Sequence, residues 1–217
     1  MLVTRAEPAT STATEPAPES AFRRRLLEVM AEAVRERGYR ETTVADVVRN
    51  ARTSRRTFYE HFDSKQDCFI ALLTERNTET VQQIAEAVDP SAPWRTQVRQ
   101  AIHAWIDSSG QDPTITLAWI RDTPALGEAA AKLHHGAGEA FIDLIQRLTA
   151  TSGFEAPGVH RVDRRTAAFL YGGFRELIAS TVEAGEDIRN IIDIAVDNAI
   201  AVVGPRYQHP DEPTHQS

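Results

Sequence analysis

Cysteine is nearly absent from this 217-residue chain. Cys68 stands alone, so no disulfide can form within the chain and a packed core has to hold the fold. Long apolar runs are missing too, since no stretch approaches the roughly 18 uninterrupted apolar residues that span a bilayer, and no membrane partner is expected. The N-terminal segment lacks a basic stretch followed by an apolar one, so no secretory signal is expected and the expected location is the cytoplasm. Sustained alternation of apolar and polar residues is lacking, which argues against sheets and for an all-α fold. No nucleophile elbow, phosphate-binding glycine loop or metal-ligand cluster occurs, so no catalytic residue, cofactor or metal is assigned and no enzyme is expected. Positive charge is also short: the formal net charge is -7, which at face value disfavours an acidic partner.

That last shortage is uneven along the chain. Residues 21–65 carry 11 basic against 7 acidic side chains, a local charge of +4, while residues 66–217 stand at -9 and residues 1–20 at -2. A basic head on an acidic body suits a protein that docks one end on nucleic acid, because a polyanion responds to the local field. Residues 1–19 are Ala, Pro, Thr, Ser and Glu with almost no large apolar side chain, and are expected to be a disordered tail. The proline-bearing run 205–217 is expected to be a second, flexible tail.

Between them the pattern is helical throughout. The first helix is predicted from Ser20 to Arg37, with Phe22, Leu26, Leu27, Met30, Ala33 and Val34 at helical spacing and Gly38 as its stop. Thr43 and Asp46 form a capping-box pattern opening a short helix whose apolar face is Val44, Val47 and Val48. A third helix is predicted over Ser54–Glu60, and Ser64 with Asp67 caps a longer one that ends before Pro90. Five more are predicted: Trp94–Ser109, Pro113–Arg121, Pro124–Ala150, Val162–Ala184 and Asp187–Val203. Asp112-Pro113 and Thr123-Pro124 each place a capping side chain before a proline at the first helical position.

Two short helices joined tightly through Arg52-Thr53 make a helix-turn-helix. In that motif the second helix enters the major groove, and its N-terminal residues reach base edges. Here those residues are Thr53, Ser54, Arg55, Arg56 and Thr57. Arginine can hold guanine O6 and N7 through two hydrogen bonds, and threonine offers a hydroxyl and a methyl group. Thr43, Tyr59, His61 and Lys65 carry donors suited to phosphates. Phe58 and Phe62, four residues apart, are predicted to pin the reading helix onto its neighbours.

The segment TTVADVVRNARTSRRTFYEHFDSK, residues 42–65, resembles the signature of the TetR family of transcriptional regulators. The likeness runs through the capped second helix, Ser54, the Thr57-Phe58-Tyr59 step, the His61-Phe62 pair and Lys65. It implies a three-helix DNA-binding domain over residues 20–66 and a larger helical ligand-binding and dimerisation domain over 67–204. It implies a homodimer on a double-stranded DNA operator and an effector pocket of unspecified chemistry. The chain departs from the family at Arg52, where glycine is usual, and at Arg56, where a second glycine is frequent. A left-handed Arg52 costs on the order of 1 kcal/mol, which a phosphate contact by its guanidinium can offset.

For the body, the aromatics Trp105, Trp119, Phe141, Phe169, Tyr171 and Phe174 read first as core and second as walls of a ligand cavity. The ligand-binding residues assigned are His103, Trp105, Trp119, Arg121, Phe141, Phe174 and Arg175, with His103, Arg121 and Arg175 as the polar groups. Few ionisable groups share those faces, so a hydrophobic small-molecule effector bearing one carboxylate at most is expected. The adjacent pair His134-His135 points two ways on a helix and cannot share a metal ion. Cys68 reads as a small core residue. The last two helices read as the dimer surface, with Gly172-Gly173 and Ala179 for close approach and Ile188, Ile191, Ile192, Ala195, Val196, Ala199 and Val203 demanding burial. The function expected is a repressor that a ligand releases from a palindromic site. The alternatives are an effector-independent architectural DNA binder, or a small hydrolase using His103, Asp107 and Ser108.

Overall fold

The structure, a computed structural model, describes residues 18–159 and 161–205. The two expected tails fall outside these residues apart from Pro18, Glu19 and Pro205. The described residues form nine α-helices and three short 3-10 turns, with no strand. They are α1 Pro18–Glu41, α2 Val44–Asn50, α3 Arg55–His61, α4 Lys65–Ala87, α5 Trp94–Gln111, α6 Pro113–Arg121, α7 Glu128–Leu148, α8 Arg164–Glu183 and α9 Ile192–Val203. No helix among them is long and apolar enough to cross a membrane.

Local chemistry sets most of these bounds. Gly38 adopts φ 80°, ψ 160° and breaks the helical path of α1 where a stop was predicted. Asp112 accepts from the Ile115 N–H and Pro113 fills the first turn of α6, as expected. The long helix predicted from Pro124 is instead interrupted. Thr123 is buried with its hydroxyl turned back to the Ala118 carbonyl at 3.4 Å, so it caps nothing, and residues Thr123–Ala125 form a 3-10 turn. Gly127, at φ 81°, then redirects the chain into α7. The last predicted helix likewise opens as a 3-10 turn over Ile188–Ile191, capped by Asp187, before α9 begins.

Two apolar cores result. The head core contains Leu26, Met30, Val34, Val47, Phe58 and Phe69, with Tyr39 stacked on Phe69 at 4.3 Å between ring centres. The body core is built around Trp105, Phe141, Tyr171, Phe174, Ile178 and Val196. Two helices belong to both. α4 gives Cys68, Phe69, Leu72 and Leu73 to the head and Ile84 to the body. α6 gives Ile115 and Ala118 to the head and Ile120 to the body, and Trp119 packs against both. Residues 66 and 67 therefore lie within one continuous stretch of packing, with α4 as a shared spine.

The final helix is used differently from the expectation. Ile188, Ile191, Ala195, Val196, Ala199 and Val203 are buried inside the protomer, because α5 and α8 cover that face. On α8 and α9 the large apolar side chains left exposed are Phe169, 68%, and Ile194, 54%, alongside the exposed Gly172 and Gly173; on α1, Phe22, read from sequence with the apolar face, is exposed as well. Phe169, read from sequence as core or cavity wall, is neither.

Candidate nucleic-acid interface and ligand cavity

The helix-turn-helix forms as the residues dictate. Thr43 accepts from the Asp46 N–H at 3.2 Å, and the Asp46 carboxylate accepts from the Thr43 N–H at 3.1 Å, completing the capping box. The Thr43 hydroxyl also donates to Asp46 at 2.6 Å. That bond, foremost, and the guanidinium groups of Arg49 and Arg37 hold the Asp46 carboxyl below its ordinary range. α2 ends in a Schellman turn: the Arg52 N–H reaches the Arg49 carbonyl and the Thr53 N–H reaches that of Val48. Arg52 takes the left-handed position at φ 52°, alone among described non-glycine residues.

Ser54 caps α3 by accepting from the Thr57 N–H at 3.0 Å. Phe58 and Phe62 are buried with their rings 5.7 Å apart, and the Arg23 guanidinium lies over Phe62. That anchoring turns Ser54, Arg55, Arg56 and Tyr59 outward, while Thr53, Thr57 and His61 are half-buried beside them. Arg56, its side chain 90% exposed, pairs with Glu60 at 3.1 Å. Arg55 has no carboxylate within ion-pair distance among the described residues, so the two arginines are not equivalent. Glu60 was not assigned from sequence, although its place four residues after Arg56 carried the signal.

Lys65 is turned inward. Its ammonium donates to the Tyr39 carbonyl at 3.0 Å and sits 4.3 Å over the Tyr39 ring, and burial lowers its pKa. It ties the start of α4 to the end of α1, which competes with the phosphate contact assigned to it. Cys68 is buried, and desolvation pushes its thiol up to about 12.

A cavity of about 470 Å³ opens where α1, α4, α5, α6, α7 and α8 meet. Trp105, Trp119, Phe141 and Arg175 are on its wall, as assigned from sequence. Phe174 is on the wall of a smaller, apolar void of about 70 Å³, which Trp105 and Phe141 separate from the main cavity. His103 and Arg121 line neither. Helical geometry is the reason: each lies two residues from a wall tryptophan, about 200° round its helix. Arg121 instead holds Glu176 and Glu183 at the surface, at 2.8 and 2.7 Å, clamping α6 to α8. Phe169 stands in the same relation to Tyr171.

The sequence reading missed much of the polar wall. Asn77, Thr80, Gln83, Ser108, Ser109 and Thr116 line the cavity with hydroxyl and amide groups, alongside Arg35 and Arg76. Tyr171 stacks on Phe141 at 5.1 Å, and Arg175 lies over the Tyr171 ring at 5.2 Å. The Tyr171 hydroxyl is buried without a hydrogen-bond partner among the described residues, and so is the Arg175 Nε. Burial raises the Tyr171 pKa; Arg175 and Trp119 moderate this, yet neither reaches the hydroxyl in hydrogen-bonding geometry. Arg175 Nη1 meets His134 Nε2 at 2.9 Å, and His134 stacks on Trp119. Burial and then Arg175 depress the His134 pKa, so the ring is neutral and its Nε2 accepts.

The hydrolase constellation is not assembled. Ser108 shares its hydrogen bond with Thr80 at 2.8 Å and Asp107 pairs with Arg189 at 3.5 Å, leaving no relay to His103 among the described residues.

Residues 26–72 match the model of the family described as bacterial regulatory proteins, tetR family. The chain is 27% identical over 143 residues to the HTH-type transcriptional activator FasR of Mycolicibacterium smegmatis, covering 64% of each. It is 29% identical over 82 residues to the uncharacterized HTH-type transcriptional regulator YhgD of Bacillus subtilis, 38% of this chain and 43% of that one. The chain thus spans less than two thirds of the length of these curated relatives. Among solved structures, the fatty acid degradation regulator FadR of Bacillus halodurans superposes with a TM-score of 0.72 at 15% identity, over 88% of this chain and 97% of that one. FadR of Bacillus subtilis in complex with stearoyl-CoA gives 0.71 at 14%, over 85% and 99%. Residues 26–72 are therefore similar to the tetR family of bacterial regulatory proteins, and the described chain as a whole has the fold of the two FadR structures.

Proposed function

We propose that this chain is a ligand-responsive transcriptional regulator, a cytoplasmic homodimer that represses from a palindromic operator and leaves it when a small molecule fills the cavity. The observation that carries the reading is the composition of the cavity wall. Arg35, Leu73, Ile115 and Trp119 line the cavity; Leu73 and Ile115 belong to the head core, and Trp119 packs on it. Arg35 is on α1, and it pairs with Asp112, the cap of α6, at 2.7 Å. A ligand seated there presses on the packing that positions α3. A binder that favours one spacing of the two reading helices shifts the population toward it, and couplings of this kind are typically about 1–3 kcal/mol.

DNA contact is proposed for Thr43, Arg52, Thr53, Ser54, Arg55, Arg56, Thr57, Tyr59 and His61, with Arg55 and Arg56 reading bases and the others placing the helix. The dimer surface is proposed on the outer faces of α8 and α9, around Phe169, Gly172, Gly173 and Ile194, where apolar and small residues are exposed together. The FadR neighbour holding stearoyl-CoA supports a ligand with an apolar body. The relative FasR is named an activator; ligand-driven release from DNA serves either outcome, which the position of the operator against the promoter decides.

The test titrates small apolar and amphipathic compounds into the protein bound to its selected DNA site. A compound that releases the DNA must also raise the melting temperature of the free protein, as binding to the folded state requires. Compounds that stabilise the protein by several degrees and never alter DNA affinity would instead assign an effector-independent DNA binder.

A further inference from the structure

Three arginines reach the cavity wall, and they differ in what balances their charge. Arg35 pairs with Asp112 and Arg76 pairs with Glu79 at 3.1 Å. Arg175 has no carboxylate within ion-pair distance among the described residues; the adjacent Glu176, which feels its charge, pairs with Arg121. Its one hydrogen-bonding partner, His134, is a neutral ring that positions the guanidinium without compensating it. The Arg175 Nε is buried and unpartnered among the described residues, and beside it the hydroxyl of Tyr171, a residue only 7% exposed, has no partner among them either. These are all donors awaiting an acceptor. A buried donor without one costs about 1–3 kcal/mol, and the half-buried Arg175 guanidinium adds a positive charge that no carboxylate touches among the described residues.

One cation asks for one negative charge, and the planar guanidinium fork matches a carboxylate. A second negative charge would meet only Arg35 and Arg76, each already paired with a carboxylate of the same wall. Around this point Tyr171 stacks on Trp105 and Phe141, at 6.0 and 5.1 Å, Trp119 adds a further wall, and Trp105 and Phe141, tilted and 4.9 Å apart, stand between the cavity and the apolar void behind. That closed wall favours a short, flat body over a long chain.

We propose that the cavity takes a compact aromatic monocarboxylate, its carboxylate on Arg175 and the Tyr171 hydroxyl and its ring against Trp105, Trp119 and Phe141. This deepens the effector reading and rests on it for its regulatory meaning. The binding claim itself is tested without DNA. Titration calorimetry on the full chain compares 2-naphthoate, 2-naphthamide and decanoate. 2-Naphthoate is expected to bind about ten-fold tighter than its amide, the worth of a charge-assisted bond, and tighter than decanoate. Arg175→Gln should erase the preference for acid over amide. Tyr171→Phe, which keeps the ring, should reduce it several-fold. An amide that binds the unaltered protein as tightly as the acid overturns the proposal. Decanoate binding more tightly, an acid preference surviving in Arg175→Gln, or no binding by any of the three does the same. If 2-naphthoate binds with the expected preference and leaves DNA affinity unchanged, the anion site stands and the effector reading fails. If a neutral compound releases DNA and the acid preference is absent, the reverse holds.

Discussion

Arg52 occupies a position where glycine is the residue of least strain, so Arg52→Gly separates what the turn needs from what DNA needs. The backbone sits at φ 52° in a completed Schellman turn, and the side chain is exposed with no ion-pair partner among the described residues. Left-handed backbone costs a residue with a Cβ about 1–2 kcal/mol, which glycine avoids. Glycine gives back about 0.4–1 kcal/mol through the greater freedom of the unfolded chain. The net expectation is a gain of about 0.5–1 kcal/mol, read by urea unfolding of the full chain. Arg52→Asn, whose side chain tolerates the same region, should fall between. On DNA the sign reverses: losing one phosphate contact lowers the slope of log affinity against log salt by about 0.9 per protomer. Arg52→Lys should keep that slope. A glycine variant less stable than the parent by about 1 kcal/mol refutes the strain argument. An unchanged salt slope removes Arg52 from the interface.

Arg55→Ala should cost about 1–3 kcal/mol on the selected site and far less on random duplex, and equal losses on both would make Arg55 a phosphate contact. Glu60→Gln, which frees Arg56 and removes an anion from the reading face, should strengthen binding to every duplex tested; weaker binding contradicts the surface as described. Phe169→Glu with Ile194→Asp should convert a dimer to a folded monomer by light scattering, whereas Ala195→Asp should unfold the protomer because Ala195 is buried within it. Asp46 has a depressed pKa, so its cap stabilises fully above the ordinary value of 3.8 and fades as pH falls through the lower folded value. The stability gap between the parent and Asp46→Asn should therefore narrow below pH 3.8 and stay constant above it.

The head was legible because its signals are local. A cap is a side chain and an N–H three residues on, and Thr43, Ser64 and, in the body, Asp112 each formed the bond their sequence promised, while Ser54, read as the first residue of its helix, caps it instead. The body was legible only as helices. His103, Arg121 and Phe169 were assigned by their company in the sequence, yet each is two residues from a wall residue and faces the other way on its helix. Strict application of the helical period would have exchanged them for Tyr171 and kept Arg175. His134 and Arg175 meet across 41 positions of sequence, and no local pattern encodes that pairing. The final helix was legible only in part: Ile188, Ile191, Ala195, Val196, Ala199 and Val203, read as wanting an intermolecular partner, are buried by their own protomer, which leaves the outer face of the helix for a second copy.

The central claim is that two copies of this chain read DNA as a symmetric pair. Repeated selection of bound sequences from a random duplex pool by the purified full chain tests it most directly. The account predicts enrichment of an inverted repeat with half-site centres about one helical turn apart or a multiple of it, lost together with affinity in the Arg55→Ala variant. Recovery of sequences with no twofold symmetry, or no enrichment at all, would contradict it.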